Sequence, residues 1–398
     1  MTQLVPRIYC NSISKALNRN NIFKYLNTLL DFIIKRRVEQ VETNEEHAKH
    51  VKEELSLGLW EKYLTLWIAI CIVVGLLVGR FLPAFGEFME SLKFASLSIP
   101  IGILLFFMMY PTVLGIRYSD IKMASRNPKP LLVTLFANWV VAPIIMTLYA
   151  NVFLAGNPQY IAGVILLGLS PCTAMVMWWM LLAKGNMAQG LINTAVNALF
   201  MLILYAPLAA LYLGVSSIPV PWDLIALSVL AFIALPIGSG ALSRRLITRK
   251  KGEEWFSNVY ITAVSKVSIV ALLLTLVVLF SFAGQTILND PLLVAYIAVP
   301  NLLHYATMIA WTYPLGYFLG WKYETAIDTT LIGSSSHFEV AIAVAVTIYG
   351  IGSGAALATV IGPLLEVPLM LSLVWLGLRT RKYFPRKKQK SSGKITQL

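Results

Sequence analysis

Charged residues are scarce in this sequence. Asp, Glu, Lys and Arg make up only 13% of its 398 residues, while 58% of the residues are hydrophobic. Soluble globular domains carry about 25% charged residues, so this composition excludes a soluble globular chain. With a mean hydropathy of +0.72, the sequence is typical of a polytopic membrane protein.

Acidic residues are scarcer than basic ones, which gives a formal net charge of +13. A strong positive charge also occurs in proteins that bind nucleic acids. Here, however, Lys and Arg lie in short runs between apolar segments, including residues 244–251 and 379–394. This pattern is typical of charge that orients membrane spans, and no nucleic acid is expected as a partner.

Cysteine and histidine are also rare. The three cysteines form neither a CxxC pair nor a spacing typical of disulfides. The four histidines are dispersed and include no H-E-x-x-H pair. An intramembrane metalloenzyme that uses His304, His337 and Glu339 is therefore disfavoured, and we expect neither an enzyme nor a cofactor. His304 is interpreted as an interhelical hydrogen-bond partner.

Ten apolar segments are long enough to cross a membrane, which takes roughly 20 residues. They predict an all-α, multi-pass protein of the cell membrane. Lys and Arg occur in the connections after segments two, four, six and eight but are absent after three, five, seven and nine. By the positive-inside rule both termini are cytoplasmic. The segments cover residues 64–82, 98–115, 131–153, 162–183, 189–213, 224–243, 259–282, 292–320, 326–349 and 355–378.

The chain divides into three predicted regions. Residues 1–58 form a cytoplasmic extension, in which residues 23–37 are either an amphipathic helix on the inner membrane face or part of a poorly ordered segment. Residues 59–384 form the ten-span domain, and residues 385–398 form a basic cytoplasmic tail. Five spans in each half insert with opposite orientation, which predicts two inverted five-helix repeats.

Two of the ten spans are interrupted by small polar residues. Span four contains the break Ser170-Pro171-Cys172, and span nine contains three serines before His337. A broken helix exposes backbone polar groups that lipid cannot satisfy. Each interrupted span is the fourth of its half, an arrangement typical of transporters. The sequence therefore predicts that helices four and nine are discontinuous near the midplane of the membrane.

Cys172 is the candidate substrate ligand in span four. It follows Pro171 at the start of the second half-helix, where Met175 and Trp179 would share its helical face. A thiol with such soft neighbours suits a thiophilic substrate. The alternative, a cysteine that packs as a small hydrophobic side chain, stays open at this point.

Ionisable residues in spans nine and ten are the candidate ion-coupling groups. Burial of a charge in a membrane costs about 2.5 kcal/mol or more, so such residues are usually functional. We expect Glu339 to bind and release a proton or cation, with His337 assisting it. Structural and coupling roles are equally open for Glu366 in span ten. Ser335 and Ser336, just before His337, are candidate substrate-binding residues.

These motifs resemble those of the arsenite efflux permeases of the arsenical-resistance type, in the bile acid/arsenite/riboflavin transporter superfamily. The resemblance extends over residues 59–384. The matching residues are Cys172, Thr173, Ala174, Met175, Val176, Trp179, Leu182, Ala183 and Gly185 in span four, Phe338, Glu339, Ala341, Ile342 and Ala343 in span nine, and residues 360–368 in span ten.

The resemblance implies crossed broken helices and export of trivalent arsenite, sometimes antimonite, driven by the proton gradient and conferring arsenic resistance. It implies that Cys172 is the functional cysteine, which binds As(III) as substrate, and that Glu339 is the functional glutamate of span nine. The expected partners are therefore arsenite, a proton and membrane lipid.

The sequence departs from the family pattern at four positions. Many members have two Asn where this chain has Ser336 and His337. An acidic residue often stands in place of Asn186, and an Arg in place of Pro171. Of these differences, the histidine at position 337 is expected to affect ion coordination and the pH dependence of transport most.

Two other transport functions stay open. One is a sodium-coupled symporter of organic anions, such as bile acids, from the same superfamily. The other is a passive metalloid channel, whose flux would not depend on an ion gradient.

Overall fold

The computed structural model describes residues 64–94, 97–115, 128–173 and 175–385. The predictions for residues 1–58 and 386–398 lie outside this part of the chain. The described elements are α1 (Leu64–Phe81), α2 (Pro83–Ser91), β1 (Lys93–Phe94), β2 (Leu97–Ser98), α3 (Ile99–Leu114), α4 (Lys129–Phe153), α5 (Pro158–Gly168), α6 (Met175–Leu182), α7 (Met187–Val215), α8 (Trp222–Lys251), α9 (Glu253–Asn289), α10 (Pro291–Phe318), α11 (Tyr323–Ser334), α12 (Phe338–Tyr349) and α13 (Gly354–Thr380).

The helices are apolar enough to form a membrane domain. Among the described residues six helices, α4, α7, α8, α9, α10 and α13, are long and apolar enough to span a bilayer. Shorter apolar helices lie within α1, α3, α5 and α12. An α-helix satisfies its own backbone hydrogen bonds in lipid. The predicted all-helical polytopic membrane fold is therefore confirmed at this level, with one addition, the antiparallel pairing of the short strands β1 and β2.

The interrupted spans lie at the centre of the packed helices. Predicted span four is divided into α5 and α6, and predicted span nine into α11 and α12. All residues of α12 from Phe338 to Thr347 are buried, whereas α7 and α10 expose large apolar side chains such as Ile203 and Leu292. A helix that is apolar on every side is one enclosed by protein. The long helices therefore shield the broken ones from lipid.

Helices α1 and α9 pack closely because glycines line their contact. A Cβ at Gly284 of α9 would lie 2.7 Å from the carbonyl oxygen of Leu76. A Cβ at Gly79 of α1 would collide with the carbonyl oxygen of Ser281. Without a hydrophobic driving force between helices in lipid, such close backbone contact supplies much of their association.

Gly79→Ala is expected to separate α1 from α9 and to destabilise the protein by about 1–3 kcal/mol, the usual cost of overpacking. The measurement is the midpoint of thermal unfolding of the purified protein in detergent. Gly238→Ala on α8 is the control, because a Cβ there meets no atom within 4 Å. Equal midpoints for both variants would contradict the close packing of α1 on α9.

Candidate transport site at the crossing of two broken helices

The two helix breaks bind each other through their backbones. Pro171 and Ser336 form an isolated antiparallel bridge. The Cys172 N–H donates to the carbonyl oxygen of Ser335 at 3.2 Å, and the His337 N–H donates to that of Ser170 at 2.5 Å. The two interruptions that the sequence indicates, at residues 170–172 and 334–337, therefore lie against each other in the structure. Each break supplies backbone partners that the other could not find in lipid.

Cys172 lies inside the span-four break, three positions before α6 begins at Met175. Its side chain is buried, and the backbone N–H groups of Met175 and Val176 point towards its sulfur. These amides belong to the first turn of α6, which carries the positive end of the helix dipole. The thiol therefore occupies the place of a helix cap. Because Cys172 precedes the helix, helical spacing alone does not place Met175 and Trp179 beside it, although both are buried in the same core.

The span-nine break carries a buried pair of ionisable side chains. His337 Nδ1 and Glu339 Oε2 lie 2.9 Å apart, and both side chains are almost completely buried. Without such a partner, burial of the carboxylate would be opposed by its full free energy of dehydration. The histidine that departs from the family pattern is therefore the immediate partner of the candidate coupling glutamate.

Glu366 of α13 also reaches the crossing. Its Oε2 accepts a hydrogen bond from the Tyr305 hydroxyl at 3.2 Å, and both residues are fully buried. The backbone N–H of Ser336 is a second hydrogen-bond partner of this carboxyl group. Glu366 and Glu339 lie close enough to interact electrostatically with each other and with Cys172. The crossing thus brings together one thiol and two carboxyl groups from three different elements.

Several polar atoms around the crossing have no hydrogen-bond partner among the described residues. Buried polar groups are otherwise almost always paired in proteins. A small polar solute would supply such partners, whereas an apolar one would not. The buried atoms are Thr173 Oγ1, Trp179 Nε1, Ser335 Oγ, His337 Nε2 and Glu366 Oε1.

Two residues of this region were not predicted from the sequence, Tyr305 and Asp328. Tyr305 carried no usable signal, because nothing in the sequence of span eight shows that its hydroxyl faces Glu366. Asp328 did carry one, since it is an ionisable residue within predicted span nine, and the rule applied to Glu339 applies to it equally.

Asp328 joins α11 to the turn between α6 and α7. Its Oδ2 accepts a hydrogen bond from the Asn186 N–H at 2.7 Å, whereas Oδ1 has no partner among the described residues. A Cβ at Gly185 would collide with Oδ1. The Tyr323 hydroxyl donates to the carbonyl oxygen of Ala183 at 2.8 Å, so α11 contacts this turn twice. The first half of span nine is therefore attached to the end of span four.

The interpretation of His304 as a hydrogen-bond partner was wrong. The residue is buried on α10, and neither of its ring nitrogens has a hydrogen-bond partner among the described residues. Its ring instead packs beside that of Tyr305, with 5.7 Å between the ring centroids. Sequence could not decide this, because helical position does not reveal which groups a neighbouring helix presents.

The sequence is similar to known membrane transporters. The family model of the sodium bile acid symporter family matches residues 102–290. The chain is 45% identical over 368 residues to the uncharacterized transporter slr0944 of Synechocystis, covering 88% of this chain and 96% of that protein.

Two relatives are named for arsenical resistance. Identity is 42% over 349 residues to the arsenical-resistance protein Acr3 of Alkaliphilus metalliredigens, covering 84% of this chain and 97% of that protein. Identity is 32% over 343 residues to the arsenical-resistance protein Acr3 of Corynebacterium glutamicum, with 83% and 92% covered.

The contact between Gly185 and Asp328 predicts a non-additive pair of substitutions. Gly185→Ala alone should lower the midpoint of thermal unfolding, because the new Cβ collides with the buried carboxylate. In an Asp328→Ala background, Gly185→Ala should lower the unfolding midpoint only slightly, because the carboxylate with which the Cβ collides is absent. Gly352→Ala is the control, since a Cβ there meets open space. Additive effects of the two changes would contradict the contact.

Proposed function

The chain belongs to the arsenical-resistance transporters related to the sodium bile acid symporters, and we propose that it exports trivalent arsenite from the cytoplasm by proton antiport. The observation that carries this proposal is the position of Cys172, a buried thiol within the bridge between two broken helices. Antimonite, the heavier trivalent analogue, is proposed as a second substrate.

The chemistry of the site suits arsenite. Near neutral pH arsenite is mainly the uncharged trihydroxide, which enters a polar cavity without the penalty of burying a charge. The Cys172 sulfur would replace one hydroxide on arsenic, and the thiol proton would leave with that hydroxide as water. The unpartnered polar atoms at Ser335 and Trp179 would bind the remaining hydroxyl groups. A single thiol makes the bond readily reversible, which transport requires.

The proposed architecture has ten spans in two inverted five-helix repeats, with both termini cytoplasmic. Its support is that the two interrupted spans are each the fourth of five and that their breaks pair antiparallel. Broken helices in corresponding positions of two halves are typical binding sites in secondary transporters. In the proposed cycle, one helix bundle rocks against the other around this crossing and exposes Cys172 alternately to the two sides.

Glu339 is proposed as the proton-coupling group, with His337 and Glu366 as its partners. A cavity of about 220 Å³ lies between α5, α9, α10, α12 and α13, and its lining includes Ile342. Ile342 is one helical turn from Glu339, so this cavity offers a short route to the carboxyl group. In the proposed orientation the cavity faces outwards. Glu339 would take up a proton there and release it to the cytoplasm as arsenite leaves.

Cys172→Ala is expected to lower arsenite uptake into inverted membrane vesicles to the level of vesicles without the protein, because the ligand to arsenic is lost. Cys71→Ala is the matched control, since Cys71 is a half-buried thiol of α1 and should transport at the native rate. Native transport by the Cys172 variant, with protein abundance verified, would contradict the ligand role.

Glu339→Gln is expected to abolish the stimulation of uptake by a pH gradient, because the amide cannot bind and release a proton. Asp223→Asn, an exposed acidic residue of α8, should leave the stimulation unchanged. The same vesicles are then tested with a sodium gradient in place of the pH gradient. Stimulation by sodium alone would favour the symporter, and transport without any gradient dependence would favour a channel.

A further inference from the structure

A basic pocket lies where α11 begins and α13 ends. Its volume is about 720 Å³. Its lining includes the cationic residues Lys322, Arg379, Arg381 and Lys382, and Glu324 is the acidic residue among them. Arg381 is neutralised by Glu324 at 2.6 Å. Among the described residues the other three cations have no carboxylate within salt-bridge distance, so the pocket favours an anion.

The backbone adds to this positive charge. Helix α11 begins at Tyr323 on the wall of the pocket, and no side chain caps its first amides. The N-terminus of a helix of 12 residues carries the positive end of its dipole and several unpaired N–H groups. Three cationic side chains and a helix N-terminus therefore line the same space.

The remaining walls of the pocket are apolar and aromatic. Tyr323 and Phe384 are buried in its lining, with 5.9 Å between their ring centroids. One turn before the lining residue Arg379, Trp375 is 59% exposed, and its ring centroid lies 5.2 Å from the guanidinium carbon of Arg379. Exposed aromatic residues beside cations are typical of the membrane–water interface. The ligand that fits has an anionic head and an apolar body.

We propose that this pocket binds the phosphate headgroup of an anionic phospholipid. Basic pockets between membrane helices are suited to such headgroups. A free phosphate ion would use only the cations, which are solvent-exposed, and would leave the apolar walls without a partner. A bound lipid would connect the start of α11 to the end of α13. This site is independent of the substrate proposed for the crossing.

The test uses the full-length protein purified in detergent. Its thermal unfolding is followed as phosphatidylglycerol, phosphatidylcholine or inorganic phosphate is added, since a ligand of the folded state raises the unfolding temperature. The double variant Arg379→Gln/Lys382→Gln removes two cations from the pocket. The matched control, Arg249→Gln/Lys250→Gln, removes two exposed cations from the end of α8.

Phosphatidylglycerol is expected to stabilise the native protein and the control variant, and the other two additives are not. The pocket variant should bind phosphatidylglycerol about 25-fold more weakly, because each of the two basic residues contributes roughly a fivefold change in affinity near an anionic surface. If the double variant does not fold, Lys322→Gln replaces it, with about a fivefold weakening expected.

Three results would overturn the proposal. Equal loss of binding in the control variant would show that surface charge alone attracts the lipid. Equal stabilisation by inorganic phosphate would assign the pocket to small anions. Unchanged affinity for phosphatidylglycerol in a folded pocket variant would exclude these cations as its ligands.

Discussion

Lipid offers no hydrogen-bond partners, so the protein itself must pair every backbone N–H and C=O group within the membrane. The rest of the structure depends on this constraint. In the part of the chain that the structure describes, six long helices meet this requirement internally, but the two interrupted spans do not. They meet it through each other, by two hydrogen bonds between Ser170 and His337 and between Cys172 and Ser335. The pairing fixes the register of the two breaks, and the long helices that enclose them keep lipid away.

The position of the functional groups follows from that pairing. Because Cys172 and His337 each donate a backbone N–H across the bridge, the Cys172 thiol and the ionisable pair of His337 and Glu339 lie beside the same few peptide groups. Glu366 joins them from α13 because the Ser336 amide and the Tyr305 hydroxyl hydrogen-bond to its carboxyl group. In the proposed antiport, this pairing would connect the thiol that binds arsenite to the carboxyl group that binds the proton.

The two broken spans are connected at a second place. Asp328 accepts a hydrogen bond from Asn186, and Tyr323 donates one to Ala183, both within or beside the turn that follows α6. The two spans therefore contact each other beside the end of α6 as well as at the crossing. Tyr323 also lines the proposed lipid pocket, so this pocket and the turn share one residue.

The sequence by itself determined the membrane class, the two helix breaks, and the thiol of Cys172 and carboxyl group of Glu339 that lie at them, because composition, a proline and an ionisable residue in an apolar span have local physical consequences. Only the tertiary structure determined which side chains contact one another. Only packing shows that His337 faces Glu339, that Tyr305 faces Glu366 and that His304 faces no hydrogen-bond partner among the described residues. Such contacts join residues up to 61 positions apart in the sequence. The helical period shows on which face of a helix a side chain lies, but it does not show which residue of another helix packs against that face.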